Sequence, residues 1–72
     1  MTMGSQEKGM SKLAEYRRKA GMTQEEAARA VDVTRQTIIA IEKGNYVPSV
    51  LLALKIAKLF NAKVEEIFYY ED

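Results

Sequence analysis

The sequence predicts an all-α domain of five short helices, with a short terminal β-strand as an open alternative for its last aromatic residues. Apolar residues recur at the 3.6-residue spacing of helices through most of the chain. Residues that favour helix N-termini precede four of these patterns: Ser11, Thr23, Thr34 and Ser49. The 72 residues allow one domain and no more.

The composition argues against most kinds of chemistry. The chain has neither Cys nor His, which excludes disulfides, Cys/His metal sites and nucleophile–His catalysis. We therefore expect no enzyme activity, metal, cofactor or small-molecule ligand. The longest apolar run, residues 50–54, is far shorter than the ~20 residues that span a bilayer. No secretory signal is recognisable, so we expect a cytoplasmic protein without membrane contact.

The charge is divided along the chain. Residues 64–72 hold four acidic and no basic residues, whereas residues 1–63 hold 11 basic and 6 acidic residues, a net +5. A basic body with an acidic end suggests two faces with different roles, although a solvated Lys/Glu surface explains the charge alone equally well.

The domain is expected to occupy residues 11–72, after a disordered leader at residues 1–10 that lacks apolar periodicity. Ser11 is the predicted N-cap of the first helix, which continues to Ala20 and ends at Gly21.

The segment at residues 23–43 contains two short helix patterns joined by a tight turn. Thr23 and Glu26 have the spacing of a capping box, and Thr34 is the predicted cap of the next helix, residues 35–43. Asp32 and Val33 form the turn. The inward residues are predicted to be Ala27, Ala28, Val31, Ile38 and Ile41. This arrangement is typical of a helix-turn-helix whose second helix lies in the DNA major groove.

The fourth helix is predicted to start after Ser49 and to continue to about Phe60. Its apolar residues form two stripes. One stripe is predicted to face the core: Val50, Ala53, Leu54, Ala57 and Phe60. The other contains Leu52, Ile56 and Leu59, and it either contacts a partner or packs against a short fifth helix at residues 64–68.

The spaced residues of this segment resemble those of the phage-repressor type of helix-turn-helix, the Cro/C1-type (XRE-like) transcriptional regulators. The similarity lies in residues 22–26, Ala28, residues 33–38, 41–44 and 48–49, and it extends over residues 12–70 to the smallest members, which consist of the DNA-binding domain alone. Two positions depart from the pattern. Asp32 occupies the turn position that is usually Gly, and Leu51 occupies a position at which a polar residue is common.

This resemblance implies a sequence-specific regulator that binds double-stranded DNA. Outward residues of the third helix would contact bases, because Arg can bind guanine and Gln adenine. In similar repressors a Gln at the position of Gln24 contacts the DNA backbone, and an Arg and a Glu at the positions of Arg17 and Glu42 form an internal ion pair. The predicted DNA-binding residues are Gln24, Thr34, Arg35, Gln36, Thr37, Ile39, Ala40, Lys43, Asn45 and Tyr46.

A single recognition helix covers only a few base pairs, so we expect a homodimer on a short palindromic operator, acting as a repressor. The candidate dimer surface consists of Leu52, Ile56, Leu59, Phe68, Tyr69 and Tyr70. The aromatic end, residues 68–70, could instead pair as a strand with the N-terminal segment or with the partner. An antitoxin-type regulator and a protein-interaction module on the same fold are the alternatives.

Overall fold

A computed structural model describes residues 8–71, and it contains five helices and a two-stranded sheet. The elements in order are β1 Lys8–Ser11, α1 Leu13–Lys19, α2 Gln24–Ala30, α3 Arg35–Glu42, α4 Val50–Leu59, α5 Val64–Ile67 and β2 Phe68–Glu71. The predicted helical fold with a terminal strand is confirmed. In the part of the chain described, no helix is long and apolar enough to cross a membrane.

Three helices begin at the hydroxyl caps that the sequence predicts. The side chains of Thr23, Thr34 and Ser49 each accept a hydrogen bond from the backbone N–H three residues later. Thr23 also forms the capping box, because its own N–H donates to the Glu26 carboxylate at 2.8 Å. These bonds satisfy N–H groups that a helix start otherwise leaves unpaired.

Four helices end in the same way, with one residue in the left-handed conformation. These residues are Gly21, Asp32, Gly44 and Asn61, with φ angles of 71°, 63°, 77° and 54°. After α2, for example, Asp32 N–H donates to the Arg29 carbonyl and Val33 N–H to the Ala28 carbonyl. Asp32 therefore fills the turn position as expected, at the modest cost that Asp and Asn have in this conformation.

β1 and β2 form an antiparallel pair in which Lys8 lies opposite Glu71 and Ser11 opposite Phe68. The prediction of a leader through residue 10 is therefore wrong for residues 8–10, since the C-terminal strand supplies their backbone partners; residues 1–7 lie outside the described part. The ladder also corrects the first cap. Lys12 N–H donates to the Ile67 carbonyl at 2.7 Å, and Lys12 is the residue that precedes α1. Ser11 ends β1, and its Oγ atom accepts a hydrogen bond from Leu13 N–H at 3.3 Å.

The core lies between α1, α2, α3, α4 and α5. Its fully buried large side chains are Leu13, Ile38, Ile41, Ile56 and Ile67. The inner face of α2 consists of the small residues that the sequence predicts, Ala27, Ala28 and Val31. Small side chains allow α3 to cross α2 closely, which fixes the two helices relative to each other.

The orientation of α4 differs from the prediction. Leu52, Ala53, Ile56 and Ala57 are buried, whereas Val50 and Leu54 are 77% and 53% exposed. Leu52 and Ile56 are therefore wrong as dimer candidates, because they pack within their own chain, and Leu59 packs against the same core. A helix that is apolar on nearly every side carries little information about which face is buried.

Candidate functional site

The outward side of α3 is a continuous surface of small and polar residues. Arg35 and Gln36 are exposed in its first turn, and Thr37, Ile39 and Ala40 are half-buried beside them. Ile38 and Ile41 are each only 1% exposed, so they anchor α3 in the core. The inner face of α3 is therefore packed in the core, while the side chains of its first turn are exposed to solvent.

The two threonines at the start of α3 are bonded to each other. The Thr34 Oγ1 atom accepts a hydrogen bond from Thr37 N–H at 3.3 Å and lies 3.1 Å from Thr37 Oγ1. Thr34 is exposed, and its main role in the structure is to cap the helix. Its hydroxyl and that of Thr37 lie next to Arg35 and Gln36 at the same end of α3.

The end of α3 places further polar residues at the same surface. Gly44 N–H donates to the Ile41 carbonyl and Asn45 N–H to the Ala40 carbonyl, so the chain turns sharply after Lys43. Lys43 and Asn45 are exposed, and Tyr46 is 47% exposed.

An ion pair between α1 and α3 lies beneath this surface. Arg17 Nε is 2.6 Å from Glu42 Oε2, and Arg17 Nη2 donates to Glu42 Oε1 at 3.2 Å. Arg17 Nη1 also donates to the Met22 carbonyl at 3.0 Å. The two side chains are 12% and 8% exposed. The geometry confirms the ion pair, so Arg17 is committed to the interior of the domain.

The pair changes the titration of both groups. Burial raises the pKa of the Glu42 carboxyl, but hydrogen bonds from Arg17 and Gln24 and the charges of Arg17 and Arg18 outweigh it, so that the pKa lies below its ordinary value. The hydrogen bond to Glu42 raises the pKa of Arg17 further. Both groups are therefore charged at neutral pH.

Gln24 belongs to the same network, which sequence reasoning missed. Its Nε2 atom donates to Glu42 Oε1 at 3.1 Å, so the first residue of α2 is joined to the last residue of α3. The Gln24 side chain is half-buried and lies beside the end of α3. A Glu at a helix C-terminus is normally unfavourable, and the position of Glu42 in the sequence is the one signal for such a hydrogen-bond donor.

A second surface, the apolar patch, adjoins the end of α3. It consists of Tyr46, Val47, Val50, Leu51, Leu54 and Tyr69, which are 40% to 77% exposed. A cavity of about 200 Å³ opens within it, also bordered by Phe68. The sequence pattern marks Leu51 as unusual, but the predicted core positions of Val50 and Leu54 are wrong, because both side chains are exposed.

The described residues include no cluster of three or more acidic side chains that could hold a metal ion. The polar groups brought together at α3 are instead hydrogen-bond donors, hydroxyls and two cations. Such groups suit an extended anionic partner with hydrogen-bonding edges.

Known proteins similar to this chain are helix-turn-helix transcriptional regulators. A family model described as helix-turn-helix matches residues 13–67. A protein of Methanocaldococcus jannaschii named as an HTH-type transcriptional regulator is 58% identical over 62 residues, which are 86% of this chain and 94% of the relative. A protein of Bacillus subtilis with the same description is 53% identical, with the same coverage of both chains.

The fold also matches a solved regulator. The restriction-modification controller protein C.AhdI from Aeromonas hydrophila is 28% identical and superimposes with a TM-score of 0.69. The match covers 75% of this chain and 82% of the controller protein.

Proposed function

The chain belongs to the helix-turn-helix family of transcriptional regulators of the XRE-like type, and from that premise we propose that it is a dimeric repressor that binds a short palindromic DNA site through α3. The observation that supports this proposal most is the exposed pair Arg35 and Gln36 at the first turn of a helix whose opposite face is buried.

Arg35 and Gln36 are the proposed base-contacting residues. In the major groove an Arg can bind guanine O6 and N7, and a Gln can bind adenine N6 and N7. Ile39 and Ala40 are only half-buried, so their methyl groups remain available to a thymine methyl. Gln36 is the firmer assignment, because Arg35 can also bind a phosphate.

The proposed backbone contacts flank the base-contacting residues. Thr34 and Thr37 lie at the start of α3, and Lys43, Asn45 and Tyr46 follow its end, where Gln24 is bonded to Glu42. Contacts of this kind fix the register of a protein on the duplex without selecting a sequence. The net +5 of residues 1–63 favours an anionic partner such as a DNA duplex.

Salt dependence tests the electrostatic part of the proposal. Binding of a random-sequence duplex should show a log K against log salt slope of about −0.9 per neutralised phosphate. If each copy in a dimer uses Arg35 and Lys43, about four phosphates are neutralised, and affinity falls more than a hundredfold between roughly 50 and 200 mM salt. The Lys43→Ala variant should lose about half of this slope. A flat salt response would favour a protein-interaction module.

The apolar patch is the proposed contact with a second copy, in place of the stripe that includes Leu52 and Ile56. A standard interface hides about 800 Å² per partner, roughly one sixth of the 5022 Å² surface of the described chain. Several large exposed apolar residues are needed to reach such an area, and the patch provides six of them. It begins four residues after α3 ends, so a two-fold axis there would set the separation of the two recognition helices.

Sedimentation tests this contact. Wild-type protein should sediment as a dimer, and Leu54→Lys should sediment as a folded monomer, because a charge would be buried at the centre of the contact. Ala30→Lys is the matched control, since it adds the same charge at an exposed residue of α2 and should remain a dimer. A monomeric wild type, or a dimeric Leu54→Lys variant, would contradict the assignment.

Repression is the simplest regulatory consequence of such a site. A dimer bound over a promoter hides that DNA from polymerase and needs no further contact. Transcription in vitro from a template carrying the selected site should therefore fall as the protein is added. Increased transcription would identify an activator and leave the DNA-binding proposal intact.

A further inference from the structure

The hydrogen bond between α2 and α3 suggests a function for Glu42 beyond its ion pair. We propose that Glu42 is a positioning residue for DNA binding: its carboxylate orients the Gln24 amide so that an N–H group is presented to a DNA phosphate. The proposal rests on the DNA-binding function proposed above, in which Gln24 contacts the backbone.

The chemistry of the Gln24 amide and the Glu42 carboxylate fixes how the two groups can meet. An amide side chain has a donor end and an acceptor end, and an ionised carboxylate only accepts hydrogen bonds. At 3.1 Å from Glu42 Oε1, the Gln24 amide must therefore direct its nitrogen toward the carboxylate. This hydrogen bond fixes the orientation of the Gln24 amide. A flipped amide, with its carbonyl oxygen facing the carboxylate, is thereby disfavoured.

One hydrogen of the Gln24 amide nitrogen remains available to DNA. The Gln24 nitrogen has two hydrogens, and one is used by Glu42. Among residues 11–70, whose side chains the structure describes, the Gln24 side chain has no other hydrogen-bond partner. A phosphate oxygen requires a donor, and the second hydrogen on the same nitrogen supplies it. With the carbonyl end turned the other way, the same side chain would repel the phosphate.

The Glu42 carboxylate is itself held in place by Arg17. Arg17 holds both carboxylate oxygens, at 2.6 Å through Nε and at 3.2 Å through Nη2, and the Glu42 side chain is only 8% exposed. The guanidinium in turn is fixed by the Met22 carbonyl. Gln24 is thus attached to a buried, rigid acceptor, and part of the rotamer entropy that DNA binding would cost is lost beforehand.

A double-mutant cycle in DNA affinity separates positioning from a purely structural role. Glu42→Gln should weaken binding by about tenfold per bound copy, which corresponds to ~1.4 kcal/mol. In a Gln24→Met background the same change should cost less than about twofold, since no amide remains to be oriented. Equal losses in both backgrounds would overturn the proposal, because they would show that Glu42 acts independently of Gln24.

Glu25→Gln is the matched charge control. It removes one negative charge from the neighbouring exposed position on α2, where Glu25 makes only a 3.5 Å contact with Arg29. Loss of a negative charge by itself should strengthen DNA binding or leave it unchanged. If Glu42→Gln binds DNA more weakly, the loss of a negative charge therefore does not explain the change, because that loss alone would not weaken binding. Stronger binding of both variants would overturn the proposal.

Two further measurements apply if Glu42→Gln does not fold. In wild-type NMR spectra, one Gln24 side-chain amide proton should exchange more slowly and shift less with temperature than those of exposed Gln36. Equal behaviour of the two side chains would overturn the proposal without any DNA being present.

The Asn side chain of the Gln24→Asn variant is one methylene shorter and cannot reach both Glu42 and the phosphate. This variant should therefore bind DNA as weakly as Gln24→Met, and wild-type affinity would overturn the proposal. A bonded Gln24 in a protein that binds no DNA would instead refute the proposed function.

Discussion

Replacing Arg17 by Met should strongly destabilise the domain. The substitution keeps the length and the apolar stem of the side chain but removes its charge. It deletes the 2.6 Å and 3.2 Å contacts with Glu42 and the bond to the Met22 carbonyl. The Glu42 side chain, which is 8% exposed in the wild type, would keep Gln24 as its one remaining donor among the described residues.

The expected magnitude follows from this burial. Breaking a buried pair by removing one partner costs about 3–5 kcal/mol, because an uncompensated charge remains in the interior. A chain of this length has a total stability of roughly 4–11 kcal/mol. The variant should therefore lose about a quarter or more of its stability, and at the lower end of this range it would be close to unfolding at room temperature. The double variant Arg17→Met, Glu42→Met should be more stable than Arg17→Met alone, since no buried charge is left.

Urea unfolding at neutral pH, followed by far-UV circular dichroism, measures these free energies. Arg29→Met is the control, because Arg29 and Glu25 are 78% and 58% exposed and such a pair contributes about 0.5 kcal/mol or less. If Arg17→Met were within about 1 kcal/mol of wild type, or if the two single changes simply added in the double variant, the reasoning from burial would be refuted.

Three further results are expected. The pKa of Glu42 is lowered by folding, so its contribution to stability is complete above its ordinary value of 4.5 and is lost as the pH falls through the lower, folded value; acid titrations of unfolding should show a smaller loss for Glu42→Gln. Asp32→Gly should raise the melting temperature slightly, by an amount equivalent to about 0.5 kcal/mol, because Gly has no steric cost at φ 63°. A lower melting temperature would contradict this. Ile38→Ala should cost about 3 kcal/mol in urea unfolding and half-buried Ile39→Ala clearly less, and similar losses would contradict the assigned orientation of α3.

The sequence predicts the helix boundaries well because the signals are local. A hydroxyl at Thr23, Thr34 or Ser49 accepts a hydrogen bond from the backbone N–H three residues later. The turn at Asp32 is closed by the N–H groups of Asp32 and Val33, which donate to carbonyls three and five residues before them. Such bonds depend on residues that the sequence places side by side. The inward positions Ile38 and Ile41 follow from the same local periodicity.

The orientation of α4 and the pairing of β1 depend on distant residues. Apolar residues surround α4 on nearly every side, so only packing against the other helices selects Leu52 and Ile56 for the core. Residues 8–10 have no strand pattern of their own, and they become a strand because β2 lies beside them. For the same reason, the apolar patch could not be located from periodicity.

The candidate site likewise contains a part that local sequence patterns predict and a part that depends on tertiary packing. The side of α3 that carries Arg35 and Gln36 follows from the buried isoleucines. The bond from Gln24 to Glu42 joins residues 18 positions apart, and it exists because α2 and α3 cross closely at the small residues of α2. A reading of single positions could therefore propose Gln24 as a phosphate contact but not the carboxylate that holds it.

Selection of bound duplexes from a random DNA pool, carried out in parallel with wild type and Gln36→Ala, tests most directly whether α3 contacts bases. Wild type should enrich a palindrome whose half-site centres lie about 10–10.5 base pairs apart. Gln36→Ala should still bind DNA but lose the preference at one position of each half-site, with a loss of roughly 1–3 kcal/mol on the wild-type sequence. Recovery of the same preferred sequence by both proteins, or of no preferred sequence by wild type, would contradict the assignment.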